Sequence, residues 1–138
     1  MGRAIEAGKL DNVTQHTLLD TGAFPCYRPE FAGKYHGVSW FTQANARKAI
    51  NGGIADVMPG YYRDIPGLFR DYVKPEVMVA TVSPMDKHGY FSTGCDGSIS
   101  AALLSTAKII LLEVNSYMPR SLTSPPIHVS QVSALWEN

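Results

Sequence analysis

The densest run of groups able to do chemistry is Ser83–Pro84–Met85–Asp86–Lys87–His88–Gly89–Tyr90–Phe91–Ser92–Thr93–Gly94. Ser83, Asp86, His88 and Ser92 place hydroxyl, carboxylate and imidazole groups close together, and Gly89 and Gly94 permit close backbone approach to another group. Such a loop can line a substrate cleft. It can equally be an ordinary hairpin, because Asp86–Lys87–His88–Gly89 is good turn chemistry. On residue types alone the turn is the preferred reading, and His88, a lone histidine, reads as solvated.

Three other groups compete for attention. Tyr61–Tyr62–Arg63–Asp64 can clamp a nucleotide or acyl group, but the preferred reading has the tyrosines covering a sheet edge and Arg63 pairing with Asp64 or solvent. Arg120 carries a fork that fits a carboxylate or phosphate, or serves an interdomain contact. Glu113 ends an apolar run, where residue type alone would place a nucleophile. Cys95 has no histidine marked out to activate it and reads as a small buried thiol. The chain has no GxGxxG, GxxxxGK[ST], HExxH or GxSxG.

These groups must be positioned by regular elements. Ile54 to Met58, Val77 to Val82 and Ile109 to Val114 are short, apolar, β-branched runs closed by Pro59–Gly60, Ser83–Pro84 and Asn115. They predict strands covered on both faces. Val13 to Leu19 is a weaker fourth strand and Val38 to Thr42 a fifth. Helices are predicted at Asn45–Ile50, stopped by Gly52–Gly53, and at Pro66–Tyr72, with Asp64 as a possible cap. A third runs from Ser98 to Ala107, with Ser98 as cap and Ala102, Leu103 and Ala107 on one face. Strands alternating with helices predict a mostly parallel open α/β sheet with flanking helices. Function in such sheets gathers at the carboxyl ends of strands, which directs attention to the segments after Val57, Val82 and Val114.

Composition narrows the classes. The 138 residues are 45% hydrophobic and 17% charged, enough to build a core without disulfide or metal. Twelve basic residues balance twelve acidic ones, so there is no electrostatic case for nucleic acid or an anionic membrane. Two cysteines without CxxC spacing argue against structural zinc and for a reducing compartment. Hydrophobic runs fall far short of the roughly 20 residues of a membrane span. The opening residues lack a signal-peptide core, and Glu6 stands where a myristoylation signal wants Ser or Thr. A cytoplasmic protein with no bound cofactor and no metal is expected.

Three segments together resemble the acetyl-CoA hydrolase/transferase family, which includes 4-hydroxybutyrate, acetate and succinate CoA-transferases. They are Tyr61–Pro66, Val79–Ser92, and Glu113–Val114–Asn115 with Met118–Pro119–Arg120 and Ile127–Ser130. Their order and spacing are those of the family's amino-terminal domain, and the match runs from about Val13 to the end. The Val79–Ser92 stretch is the most specific. Two departures stand out: the family has an acidic residue at the place of Ser98, and a Gly-Asp pair where Thr123–Ser124 stand. The family's first strand and glycine-rich turn should also precede Val13. Residues 1–138 are therefore expected to be a partial amino-terminal domain of the NagB/RpiA/CoA-transferase-like type, without the catalytic second domain.

The resemblance implies exchange of CoA between an acyl-CoA and a short-chain carboxylic acid, or water, through a glutamyl-CoA thioester. It implies coenzyme A as substrate, and it puts the attacking glutamate and its glycine-rich oxyanion loop on the second domain. By the resemblance, Glu113 matches a family glutamate that does not attack and instead orders the neighbouring loop by hydrogen bonding. Ser83, Pro84, Asp86, His88, Gly89, Tyr90, Ser92 and Gly94 would face the cleft, with Glu113, Asn115 and Arg120 in support. The chain would need its missing carboxy-terminal partner domain and would self-associate through uncovered apolar surface. The competing readings are a stand-alone acyl-CoA-binding module and a structural subunit without catalysis.

Overall fold

Apolar runs of six residues followed by turn formers extend into strands because alternate side chains can then reach a core while the backbone pairs with its neighbour. The computed structural model bears this out, and describes residues 2–19, 22, 24–97, 99–122 and 124–138. The chain divides into two compact units, Met1–Gly60 and Tyr61–Asn138.

In the first unit, helix α1 (Gly2–Glu6) precedes β1 (Val13–Thr17), β2 (Tyr35–Ser39), α2 (Ala44–Asn51) and β3 (Ala55–Val57). The strands form a parallel sheet in the order β1-β2-β3. Val13 to Leu19 was predicted within two residues. The predicted Val38–Thr42 strand instead begins at Tyr35, because Tyr35 itself packs with Ile5, Cys26 and Phe31 in the unit's core. Its hydroxyl donates to Gln15 Oε1, and burial pushes its pKa up to about 12. Helix α2 stops at Gly52, whose N–H returns to Lys48 O.

The second unit holds α3 (Ile65–Leu68), which runs on into a π-helical turn at Phe69–Val73. Then come β4 (Val77–Val82), β5 (Tyr90–Phe91), α4 (Ser100–Thr106), β6 (Ile109–Val114), β7 (Ile127–His128) and β8 (Ala134–Glu137). A parallel sheet has the order β4-β6-β8, and β5 pairs antiparallel with β7. Strands β4 and β6 coincide with the predicted runs. Their inward residues Met78, Val82, Ile110 and Leu112 pack with Phe91 and Ile127, and Leu103, Leu104 and Ala107 close over them. Burying Leu112 completely contributes roughly 2 kcal/mol.

The structure departs from expectation in other places as well. The strands are shared between two three-stranded sheets, although the fold remains mostly parallel α/β. Asp64 makes no side-chain cap to α3, where Pro66 fills the first turn and needs no N–H partner. Strand β8 was not predicted, because Ala134–Leu135–Trp136–Glu137 is short and exposed throughout. Finally, β4 and β6 are not covered on both faces, since Val77, Val79 and Ile109 are exposed. Ser98, the predicted cap of α4, lies outside the described residues, as does Thr123.

Candidate functional site

Parallel pairing brings the carboxyl ends of β4 and β6 side by side, Val82 opposite Val114. The two loops that leave there, residues 83–94 and 115–126, therefore start as neighbours. Asn115 N–H donates to Val82 O at 2.9 Å, and Asn115 Oδ1 accepts from Tyr117 N at 2.8 Å. This Asx-type turn sends the second loop back over the first.

The first loop is a tight excursion. Ser83 N–H donates to Ser92 O at 2.8 Å, and Asp86 N–H to Tyr90 O at 2.9 Å. Within it Gly89, at φ +84, closes the predicted turn by donating to Asp86 O. A Cβ at Gly89 would come within 2.9 Å of His128 Nε2 and displace that ring, and the positive φ itself favours glycine. Asp86 Oδ1 accepts from the N–H groups of His88 and Tyr90, both at 2.9 Å. The Tyr90 N–H foremost, then that of His88 and the Arg120 charge, holds the Asp86 carboxyl below its ordinary value, against partial desolvation that raises it.

Two side chains lock the loops together. Arg120 Nη2 donates to Asp86 Oδ2 at 2.6 Å, and Nη1 to Tyr90 O at 3.2 Å. The Arg120 fork thus meets a carboxylate, that of Asp86, in holding the first loop. Ser92, 2% exposed, is the second lock. Its Oγ donates to Ser121 O at 3.0 Å and accepts from Gly94 N and Ser121 N, each at 3.1 Å. Ser83 Oγ accepts from Ser92 N at 3.2 Å and donates to Pro84 O.

What the loops leave outward is narrower than the predicted set. Pro84 and His88 are exposed, and Tyr90 is partly so, with its ring edge-on to His128 at 4.8 Å. Gly94, at φ +63, lies against Met118 Sδ and the Pro119 carbonyl. Asp86, Ser83, Ser92 and Arg120 are occupied with each other and with backbone. The site is a wall made of two loops hydrogen-bonded to each other.

Glu113 stands beside it on β6. Its Oε2 accepts from Thr81 Oγ1 at 2.8 Å and its Oε1 from Asn138 Nδ2 at 2.7 Å. Both oxygens are engaged. Sequence reasoning missed Thr81 and Asn138 as its partners. Thr81 was findable, because β4 and β6 align it directly opposite Glu113, whereas Asn138 depends on β8. Ser124 was also missed; its Oγ is buried with no hydrogen-bond partner.

The remaining candidates stand apart. Tyr61 and Tyr62 are exposed, so they do not cover an edge. Arg63 lies 5.2 Å from the centre of the Tyr61 ring, with its Nε 3.6 Å from Asp64. Cys95 is exposed, correcting the buried-thiol expectation, because it occupies the surface turn that Gly94 opens; Cys26 is the buried cysteine. Among the described residues there is no group of three or more His, Cys, Asp or Glu side chains able to hold a metal. No helix among them is long and apolar enough to cross a membrane.

Comparison with known proteins adds a second line. The sequence matches the model of the acetyl-CoA hydrolase/transferase N-terminal domain over residues 3–137. A succinyl-CoA:cyclohexane-1-carboxylate CoA transferase of Geobacter metallireducens is 36% identical over 99 residues, covering 72% of this chain and 23% of that protein. The 4-hydroxybutyrate coenzyme A transferase of Clostridium kluyveri is 36% identical over 98 residues, with coverages of 70% and 23%. The chain thus spans about 23% of the length of these relatives. Among solved structures, RipA from Yersinia pestis superposes with a TM-score of 0.87 at 28% identity, over 99% of this chain and 34% of that one. A 4-hydroxybutyrate CoA-transferase from Porphyromonas gingivalis has the same fold, with a TM-score of 0.65 at 22% identity over 99% and 38%.

Proposed function

Since the chain belongs to the acetyl-CoA hydrolase/transferase family, corresponding to its N-terminal domain, we propose that it supplies one wall of a CoA-transferase cleft and leaves the covalent chemistry to a second domain. The reaction class is exchange of CoA between an acyl-CoA and a short-chain carboxylate, or hydrolysis when water accepts the acyl group. No cofactor is needed, because the covalent steps use a carboxylate and the CoA thiol. In the mechanism the family resemblance implies, a glutamate carboxylate attacks the thioester carbonyl and expels CoA thiolate, leaving an acyl-glutamyl anhydride. The thiolate then attacks the glutamyl carbonyl, expels the first carboxylate and forms glutamyl-CoA. The incoming acid repeats the sequence in reverse, and the glutamate is regenerated.

The observation that carries this reading is the locked pair of loops at the carboxyl ends of β4 and β6. Their internal hydrogen bonds fix Pro84, His88, Gly89 and Tyr90 as a preorganised surface, with Gly94 buried beneath it, which suits positioning a thioester more than attacking it. Asp86, Ser83, Ser92, Asn115 and Arg120 hold that surface in place. Glu113 is a positioning residue whose oxygens are occupied by Thr81 and Asn138. The other glutamates, Glu6, Glu30, Glu76 and Glu137, are exposed, with no loop of N–H donors to stabilise an oxyanion.

On this reading residues 1–138 form a partial amino-terminal domain of a cytoplasmic enzyme, inactive alone and self-associating when isolated. The test is incubation with acyl-CoA, borohydride reduction and mass analysis. The expected result is no modified glutamate; a labelled glutamate in the unaided chain refutes the proposal. Calorimetry with CoA separates a cleft wall from a pure scaffold, which would produce no binding heat.

A further inference from the structure

The β1-β2-β3 sheet carries a titratable face. Its register places Thr14 and His16 of β1, His36 and Val38 of β2 and Asp56 of β3 on the same side. Val13 and Tyr35 turn the other way, to the core around Ile5, Cys26 and Phe31. Two imidazoles and a carboxylate therefore share one side of a three-stranded sheet, and the CoA-transferase reading uses none of them.

The two histidines are held differently. His36 Nε2 meets Asp56 Oδ2 at 2.9 Å, and both of those side chains are exposed. His16 is half-buried. Its Nδ1 accepts from the Trp40 indole N–H at 3.1 Å, with the ring centres 6.0 Å apart and the planes tilted by 47°. An indole nitrogen can only donate, so Nδ1 carries no proton and the neutral ring keeps its hydrogen on Nε2. Protonating Nδ1 would set two N–H groups against each other. Trp40 is 7% exposed, so its indole would lose this acceptor where water is scarce. Burial first, then the charge of His36, holds the His16 pKa below the ordinary histidine value.

Trp40 also has a place that makes the bond matter. It follows the carboxyl end of β2, and its backbone N–H donates to Thr17 O, at the end of β1, at 2.9 Å. Side chain and backbone thus tie the same two strand ends, on the side of a parallel sheet where ligands gather.

We propose that His16 and Trp40 form an acid-sensitive latch: neutral His16 holds the indole, and protonation at Nδ1 releases it and loosens the ends of β1 and β2. Thr14 beside His16 does not titrate, Asp56 is engaged by His36, and a charge on His36 adds to the cost of one on His16. The sign follows from proton linkage. With the folded pKa below the unfolded one, the folded chain binds fewer protons between the two values. The latch therefore contributes fully above about 6.5 and loses that contribution as pH falls from there to the folded value.

The test is nitrogen-edited NMR of the whole 138-residue chain, titrated from about pH 8 down to about pH 4. Ring nitrogens report the protonation and tautomer of His16, and the indole N–H of Trp40 reports the latch, with the Trp136 indole as control. At high pH Nδ1 of His16 should be the unprotonated nitrogen. His16 should then titrate with a midpoint below about 6.5, and the Trp40 indole signal should move with that midpoint. The Trp136 indole and the amides of β4 and β6 should not follow it. Trp40→Phe removes the donor and His36→Gln removes the neighbouring charge, so each should raise the His16 midpoint; the exposed position 36 serves even where Trp40→Phe does not fold. A His16 midpoint at or above about 6.5, or a Trp40 signal that stays still through it, overturns the proposal. So does a His16 midpoint left unchanged by His36→Gln, or one shared with the β4 and β6 amides, which marks general unfolding and not a latch.

Discussion

Ser92→Ala removes the hydroxyl that joins the two loops, and its cost follows from what it strands. The substitution leaves Gly94 N, Ser121 N and Ser121 O without that partner, bonded at 3.1, 3.1 and 3.0 Å. Ser92 is 2% exposed, so water does not readily replace the missing oxygen. At about 1 kcal/mol per bond, the loss is about 3 kcal/mol. That is a large share of a stability of about 5–15 kcal/mol. Urea unfolding should move to a midpoint about 1–1.5 M lower for a slope near 2 kcal/mol/M. Hydrogen exchange supplies the local readout, since the Gly94 and Ser121 amides should lose protection while those of β4 and β6 keep theirs. The reasoning fails if the midpoint moves by less than about 0.3 M, or if both amides stay protected.

Gly94→Ala forces an L-residue to φ +63 and drives its Cβ against the Pro119 carbonyl at 2.9 Å, a backbone atom that cannot swing aside. Gly53→Ala meets the same strain at φ +70 with nothing within 4 Å, so it should cost only about 1–2 kcal/mol. Chemical denaturation should find Gly94→Ala worse than Gly53→Ala; equal values would show that the loop yields freely. For Asp86 the sign is set by a folded-state pKa held below the unfolded one. Its contribution is complete above the unfolded value of about 3.9 and lost as pH falls through the folded value. The stability gap between wild type and Asp86→Asn should therefore be widest near neutrality and close in acid, and a gap constant from pH 7 to pH 3 in denaturant titrations would contradict it.

The strand runs Val77–Val82 and Ile109–Val114 were legible in the chain itself, because an apolar, β-branched run ended by Ser-Pro or Asn has few other low-energy states. So was the Asp86–Gly89 turn, where the side chain of Asp86 and the freedom of Gly89 act locally. The kinship of Val79–Ser92 was equally legible, being a matter of residue order. Which groups are spent and which are free was not. Arg120 lies far from Asp86 in sequence, and only the parallel pairing of β4 with β6 brings their loops together; the same pairing gives Glu113 its Thr81 partner. Cys95 and the open face around Val79 were misread for a related reason: composition records that a residue is apolar, but only the arrangement of neighbouring elements decides whether anything lies over it.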